Sequence, residues 1–223
     1  MGCILKAGGG LYSRLAVGAV LLAAGESRRM GGRPKSLLRL GGVPLIRRNL
    51  IALSGAGVDE VAVVLGHRAE EIEPALLDFP VTIVCNADYR LGRTSSVRSG
   101  IAALSERLDA VIVALADQPL INSEDVTALI GAFKKRGSAS AVVPFVDGVR
   151  GNPIMLDATV RAAVLAGEAR FGCRQWLDAH PEQVARMETS NYHYCVDIDS
   201  QEDIDSFEMK YGHALSWPPG IAA

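Results

Sequence analysis

At 223 residues, with 49% hydrophobic and 22% charged, the chain has an ordinary folded composition and enough length to bury one large core. A net charge of −2 gives no whole-surface electrostatic case for nucleic acid, so any basic site must be local. Cys3, Cys85, Cys173 and Cys195 form no C-x-x-C pair and the four histidines show no zinc spacing; this excludes a disulfide scaffold and the common zinc motifs, and suits a reducing, cytoplasmic compartment.

Residues 1–15, with Gly8-Gly9-Gly10, read as a loose leader. Met1-Gly2-Cys3 lacks the Ser/Thr of a myristoylation signal, because Lys6 stands in that place. Lys6 and Arg14 before LAVGAVLLAA resemble the start of a signal peptide, but the glycine-rich loop that follows favours a buried first strand. At about ten residues the run is too short to span a bilayer. Further β-rich runs follow at EVAVVLG, VTIVC, AVIVALA and SAVVPF, and Cys85 inside VTIVC reads as a core residue. Between them, PLIRRNLIALSGAG has Pro44 at a helix start and Ile46, Leu50 and Leu53 on one stripe. In INSEDVTALIGAFKKRG, Asn122 or Ser123 can cap, Val126, Leu129, Ile130 and Phe133 form the buried face, and Gly137 stops the helix after Lys134, Lys135 and Arg136. After Pro144 the pattern loosens into further sheet and helix, with no linker and no internal repeat. The alternation predicts an α/β fold over residues 16–210, a Rossmann-like three-layer αβα sandwich with a mostly parallel sheet, and a C-terminal tail over 211–223.

Such sheets bind ligands beyond the carboxyl ends of their strands. Three segments stand there: the loop after the first strand, Asn86-Ala87-Asp88, and Asp117-Gln118-Pro119. The loop, LLAAGESRRMGGRPKS, is neither a Walker loop nor G-x-G-x-x-G, yet it places Arg28, Arg29, Arg33 and Lys35 within eight positions. Glycines let backbone N–H groups approach a phosphate chain and the cations neutralise it; a solvated basic loop is the alternative. Asp117 follows an apolar strand, and Mg²⁺ is commonly held by one or two carboxylates plus substrate phosphates. Asp197 and Asp199 in VDIDS could supply further oxygens. The plainer readings are a turn starter before Pro119 and a helix N-terminal cluster before Ile204 and Phe207.

The segments LLAAGESRRMGGRPK, NADYRLGRTSSVRSG, ALADQP, GVRGNPIML and DIDSQEDI, in this order over about residues 17–207, resemble the MobA-like nucleotidyltransferases. Within that family, Ala23-Ala24-Gly25 and Ala116-Asp117-Gln118-Pro119 are similar to the molybdenum cofactor cytidylyltransferases rather than the guanylyltransferases. The resemblance implies a fold like that of the nucleotide-diphospho-sugar transferases. It implies nucleotide contacts at Leu22, Ala23, Ala24, Gly25, Ser27, Arg28, Lys35, Asn86, Ser95 and Ser96, with Lys35, Arg28 and Asp117 carrying the catalysis. It also implies Mg²⁺ at Asp117, Asp197 and Asp199, and an acceptor at Arg98, Gly151, Asn152, Pro153, Gly172 and Arg174. Asn152 stands where many relatives have His, Cys173 where they have Ala, and Gln201 where they have Pro.

The implied reaction moves CMP from CTP to the phosphate of molybdopterin and releases pyrophosphate, the product passing to a molybdenum hydroxylase, with no nucleic acid or membrane partner. An already ionised acceptor phosphate needs no strong base, which fits the absence of G-x-S-x-G. Other readings are transfer to a sugar phosphate or another small phosphate, an oxidoreductase, and a non-catalytic cofactor carrier. The oxidoreductase is opposed by the missing dinucleotide fingerprint.

Overall fold

The computed structural model describes residues 14–167 and 171–221. All but Arg14 and Leu15 of the expected leader lies outside the described residues. Arg14 pairs with Asp59 at 2.9 Å and donates to the Gly57 carbonyl, fastening the entry to the first strand.

In chain order the elements are β1 (Val17–Ala23), β2 (Arg39–Leu40), β3 (Val43–Pro44), α1 (Leu45–Gly55), β4 (Glu60–Leu65) and α2 (Ala69–Ile72). There follow β5 (Thr82–Cys85), α3 (Arg93–Ala102), β6 (Ala110–Leu115), α4 (Ser123–Lys134), β7 (Ala141–Val146) and β8 (Val149–Arg150). The chain continues through β9 (Ile154–Asp157), α5 (Ala158–Ala166), α6 (Cys173–Ala179), β10 (Val184–Glu188), α7 (Gln201–Tyr211) and β11 (Leu215–Ser216). Among the described residues the strands form an eight-stranded sheet, ordered β10-β7-β9-β6-β1-β4-β5 with β8 beside β7, and a small sheet β11-β2-β3. The large sheet is mostly parallel; β9 runs antiparallel between β6 and β7, and β8 antiparallel to β7.

Register places the functional loops side by side. Leu22 and Ala23 of β1 lie opposite Val64 and Leu65 of β4, while Leu22 also faces Leu115 of β6. The loops that leave these strands therefore emerge level with one another at the carboxyl edge.

Alternation along β1 divides the interior. Val17, Ala19, Leu21 and Ala23 pack with the apolar stripes of α1 and α4, whereas Val20 and Ala24 face α3, α5 and α6. Each fully buried leucine or isoleucine contributes roughly 2 kcal/mol by removal from water. The start of α4 is fixed by a capping box, in which the Asn122 side chain accepts from the Glu124 and Asp125 N–H groups and Asp125 answers the Asn122 N–H. Of the expected buried face, Val126, Leu129 and Phe133 are buried and Ile130 is partly so.

A third, smaller core joins Met30, Leu38, Leu40, Leu45, Ile198, Ile204, Phe207 and Leu215. It binds the loop after β1 to the segment around Asp197 and Asp199. The residues set apart by sequence as a tail take part: Leu215 and Ser216 pair with Leu40 and Arg39, and the Trp217 ring lies under the Arg33 guanidinium, 4.3 Å from its centre. Cys85 departs from its reading as a core residue and is exposed. β5 is the edge strand of the large sheet, and its four residues are half-buried or exposed, unlike those of the inner strands.

Candidate active site

Lys35 begins a single 3₁₀ turn, Lys35–Leu37, after Pro34. Ser36 and Leu37 are buried and anchor the turn, which aims the Lys35 ammonium across the carboxyl edge. There it forms ion pairs with Asp117 Oδ2 and Asp199 Oδ1, and Arg29 meets Asp199 Oδ2 at 2.6 Å. The Ile198 N–H donates to the Asp117 carbonyl at 3.1 Å, so the segment bearing Asp197 and Asp199 is tied to the residue beyond β6. The helix-start alternative for these two carboxylates falls to another residue: Asp203, with Ser200, makes the capping box of α7.

The electrostatics follow from this crowding. Burial alone would lower the Lys35 pKa, but Asp117 and Asp199 overcompensate and hold it above its ordinary value. Burial tends to raise Asp199, yet Lys35 and Arg29 bring it below the usual carboxylate value. Asp197 is pushed up, first by burial and then by Asp117 and Asp199. Among the described residues no three acidic, histidine or cysteine side chains converge closely enough to cage a metal by themselves. Nevertheless Asp117 Oδ1 is buried with no hydrogen-bond partner, and three carboxylates here face two cations. One open carboxylate oxygen and an excess of negative charge fit a hard divalent ion completed by substrate oxygens.

A cavity of about 270 Å³ opens over this edge, lined by Leu22 to Ser27, Pro34 to Ser36, Tyr89, Arg90, Gly92, Arg93, Ser96 and Leu115 to Asp117. Asn86 and Ser95, expected on the nucleotide, stand behind this wall. Asn86 Nδ2 donates to the Ser95 and Ser96 hydroxyls at 3.0 Å each, its Oδ1 accepts from the Asp88 N–H, and Ser95 Oγ bonds to the Asp88 and Gly92 carbonyls. They brace the start of α3, which presents Ser96. Of the four loop cations, Lys35 lines the cavity. Arg28 is 80% exposed and pairs with Glu26 at 2.7 Å, Arg29 meets Asp199, and Arg33 meets Trp217 and the Met30 carbonyl.

A second cavity of about 500 Å³ adjoins the first, sharing Arg93 and Leu115 with it. Arg150, Gly151, Asn152, Cys173 and Arg174 line it. Arg150 pairs with Asp178, and Arg174, 88% exposed, approaches the same carboxylate at 4.0 Å. Pro153, after a cis Asn152–Pro153 bond, and Gly172 are buried and do not line it. Gly151 has no room for a side chain, since a Cβ would stand 2.8 Å from the Tyr194 carbonyl oxygen. Arg98, expected at the acceptor, lines neither cavity: its guanidinium donates to the Leu165 and Gly167 carbonyls at the end of α5.

Three residues not singled out individually by sequence belong to the site. Arg90, Arg93 and Tyr89 follow β5, where the carboxyl-edge rule could have found them. Gln118 is buried and joins three segments: its Nε2 donates to the Asn152 and Tyr194 carbonyls at 3.1 Å each, while the Asn152 N–H donates to the Tyr194 carbonyl at 2.8 Å. The carboxyl-edge rule placed Gln118 in a candidate segment, but its partners, far away in the chain, have no local signal.

Known proteins resemble this chain over much of its length. The chain is 33% identical over 202 residues to the nicotine blue oxidoreductase of Paenarthrobacter nicotinovorans, covering 87% of this chain and 95% of that protein. It is 33% identical over 139 residues to a 2-C-methyl-D-erythritol 4-phosphate cytidylyltransferase of Dehalococcoides mccartyi, covering 60% of each. A nucleotidyl transferase structure from Methanothermobacter thermautotroptrophicus superposes with a TM-score of 0.71 at 25% identity, over 86% of this chain and 95% of that one. The MobA-like NTP transferase domain matches residues 19–184, and the chain, with its open glycine loop, Lys35 and Asp117 at one sheet edge, belongs to that family.

Proposed function

We propose that this nucleotidyltransferase moves CMP from CTP to the terminal phosphate of a molybdopterin-type acceptor and releases pyrophosphate. The observation that supports it is the pair of adjoining cavities, one holding Lys35 and Asp117 and the other edged by Arg150 and Arg174. In this reading the first takes the nucleoside triphosphate and the second takes a phosphate-bearing acceptor, oriented by arginine forks. Arg93 and Leu115, common to both, mark where the two substrates meet.

An acceptor phosphate oxygen forms a bond to the α-phosphorus, the bond from that phosphorus to the β-phosphate bridge oxygen breaks, and pyrophosphate carries away the electron pair. The acceptor is already ionised, so the chain's task is positioning and charge neutralisation. Lys35 would exchange its carboxylate partners for phosphate oxygens, and the backbone of Ala23 to Gly25 would follow the phosphate chain. Mg²⁺, when bound, supplies charge neutralisation on the leaving phosphates, with Asp117 as its holder and Asp197 or Asp199 adding oxygens. The Ala24 methyl, buried at the cavity wall, favours CTP over GTP by narrowing the base end. The product would pass to a molybdenum hydroxylase in the cytoplasm; among the described residues no helix is long and apolar enough to cross a membrane.

A second reading has a specific observation behind it, the 33% identity to a protein named as an oxidoreductase. The loop after β1 lacks the G-x-G-x-x-G fingerprint, which favours the transferase. Incubation with CTP, Mg²⁺ and molybdopterin decides: a cytosine dinucleotide and pyrophosphate are expected, and Arg174→Ala should weaken the acceptor more than CTP. Efficient conversion of a sugar phosphate with molybdopterin ignored would overturn the acceptor. Nicotinamide-dependent reduction without pyrophosphate release would overturn the transferase assignment.

A further inference from the structure

The segments that leave β6, β1 and β5 line the first cavity in the order of their strands in the sheet. With strands about 4.8 Å apart, this order gives the cavity two chemically different ends. Asp117, with Lys35 upon it, occupies the end over β6. Over β4 stands Gly66, and against it lie Ala24 and Tyr89, both lining the cavity. A Cβ on Gly66 would fall 2.7 Å from Tyr89 Cβ, 2.8 Å from Tyr89 Cγ and 2.9 Å from Ala24 Cβ. Only the absence of a side chain at Gly66 lets the aromatic residue sit this close to the loop.

His67 fixes the arrangement to the phosphate loop. Its backbone N–H reaches the Ala24 carbonyl at 3.4 Å, its Nε2 donates to the Gly32 carbonyl at 3.0 Å, and its ring lies 6.2 Å from that of Tyr89. The end away from Lys35 is therefore a braced wall.

We propose that Tyr89, seated on Gly66 beside Ala24, is the base-facing wall of the nucleotide cavity and a determinant of its preference for a pyrimidine nucleotide. This deepens the functional reading above and rests on it. With the triphosphate at the Lys35 end, the base falls at the Tyr89 end, where Arg90 lies 5.5 Å from the centre of the Tyr89 ring and is paired with Glu26 at 3.9 Å. An aromatic residue there offers an apolar surface to any base, and it also takes up space that a second fused ring needs. At about 270 Å³ the cavity is small for a ligand site, so that space matters.

The test is titration calorimetry on the full chain with CTP, GTP and inorganic tripolyphosphate, each with Mg²⁺. The wild type should prefer CTP. Tyr89→Ala should weaken CTP by about tenfold, the scale of one base–aromatic contact, and narrow the CTP-to-GTP ratio by at least as much. Tripolyphosphate has no base and should bind as before. Gly66→Ala displaces the ring without removing it and should narrow the ratio too; Tyr89→Leu serves if the alanine variant does not fold. An unchanged CTP-to-GTP ratio in these variants, with tripolyphosphate still bound, overturns the wall assignment and leaves the nucleotide reading standing. If the wild type binds none of the three probes, the nucleotide reading itself fails and the wall fails with it.

Discussion

Replacing Lys35 with alanine removes the one cation of the loop after β1 that lines the first cavity, and the structure sets the size of the effect on two quantities. The Lys35 side chain is 18% exposed and that of Asp117 is 11% exposed, so their ion pair is largely withdrawn from water. Without Lys35, both oxygens of Asp117 lack a partner among the described residues, since Oδ1 has none already. Breaking a fully buried pair typically costs 3–5 kcal/mol; because Asp199 is more open and keeps Arg29, the loss here should be about 2 kcal/mol. The loss in catalysis should be larger. A cation beside the transferring phosphates contributes roughly 3 kcal/mol to the barrier, or about a hundredfold in kcat. Lys35→Arg, which keeps the charge and changes its shape, should recover part of both. Pyrophosphate release measures turnover, and urea unfolding followed by circular dichroism measures stability. The pH course of stability has a definite sign. The Lys35 contribution is complete below its ordinary 10.5 and disappears only as pH rises through its elevated folded value; that of Asp199 is present above 3.8 and lost as pH falls through its depressed value. The stability gap between wild type and Lys35→Ala should therefore stay level from about pH 5 to pH 9. A folded Lys35→Ala protein with unchanged turnover would refute the assignment of Lys35 to the phosphates.

Asp117→Asn keeps the shape and removes the charge, so divalent-ion dependence and transfer should weaken together; wild-type behaviour in a metal titration would remove Asp117 from the metal site. Arg98→Ala should lower the urea midpoint by the loss of its bonds to Leu165 and Gly167, about 1–2 kcal/mol, while leaving the acceptor KM unchanged. A raised acceptor KM with normal stability would contradict its place at the end of α5. Gly151→Ala should raise the acceptor KM at least tenfold with little change for CTP, because the new Cβ meets the Tyr194 carbonyl and displaces Asn152. Equal effects on both substrates would speak against separate cavities. In thiol labelling at pH 8 read by peptide mass, exposed Cys85 should react while Cys173, buried and pushed up to about 12, stays protonated and unlabelled; early modification of Cys173 would show that its wall opens.

The strands and the loops beyond them were legible in the sequence because apolar period and strand-to-loop order are local properties. Asp117 after AVIVALA and Lys35 after the glycines needed only the rule that parallel sheets bind at their carboxyl edge. The capping of α4 by Asn122 was equally local. What each cation touches was not. Arg93 and Arg98 are five residues apart on α3, about 140° around the helix, so one reaches the cavities and the other turns to α5. Arg28, Arg33 and Lys35 read alike in a basic loop. Their partners are Glu26 two residues back, a tryptophan brought home by β11, and two aspartates from distant segments. Cys85 sits in an apolar run like its neighbours, and only the strand order shows that its strand is an edge. The sequence by itself determined which chemical groups stand at the sheet's edge, because strand periodicity acts within a few residues. Tertiary structure alone decided which of them share a cavity, because that depends on helix rotation, strand order and contacts between residues far apart in the chain.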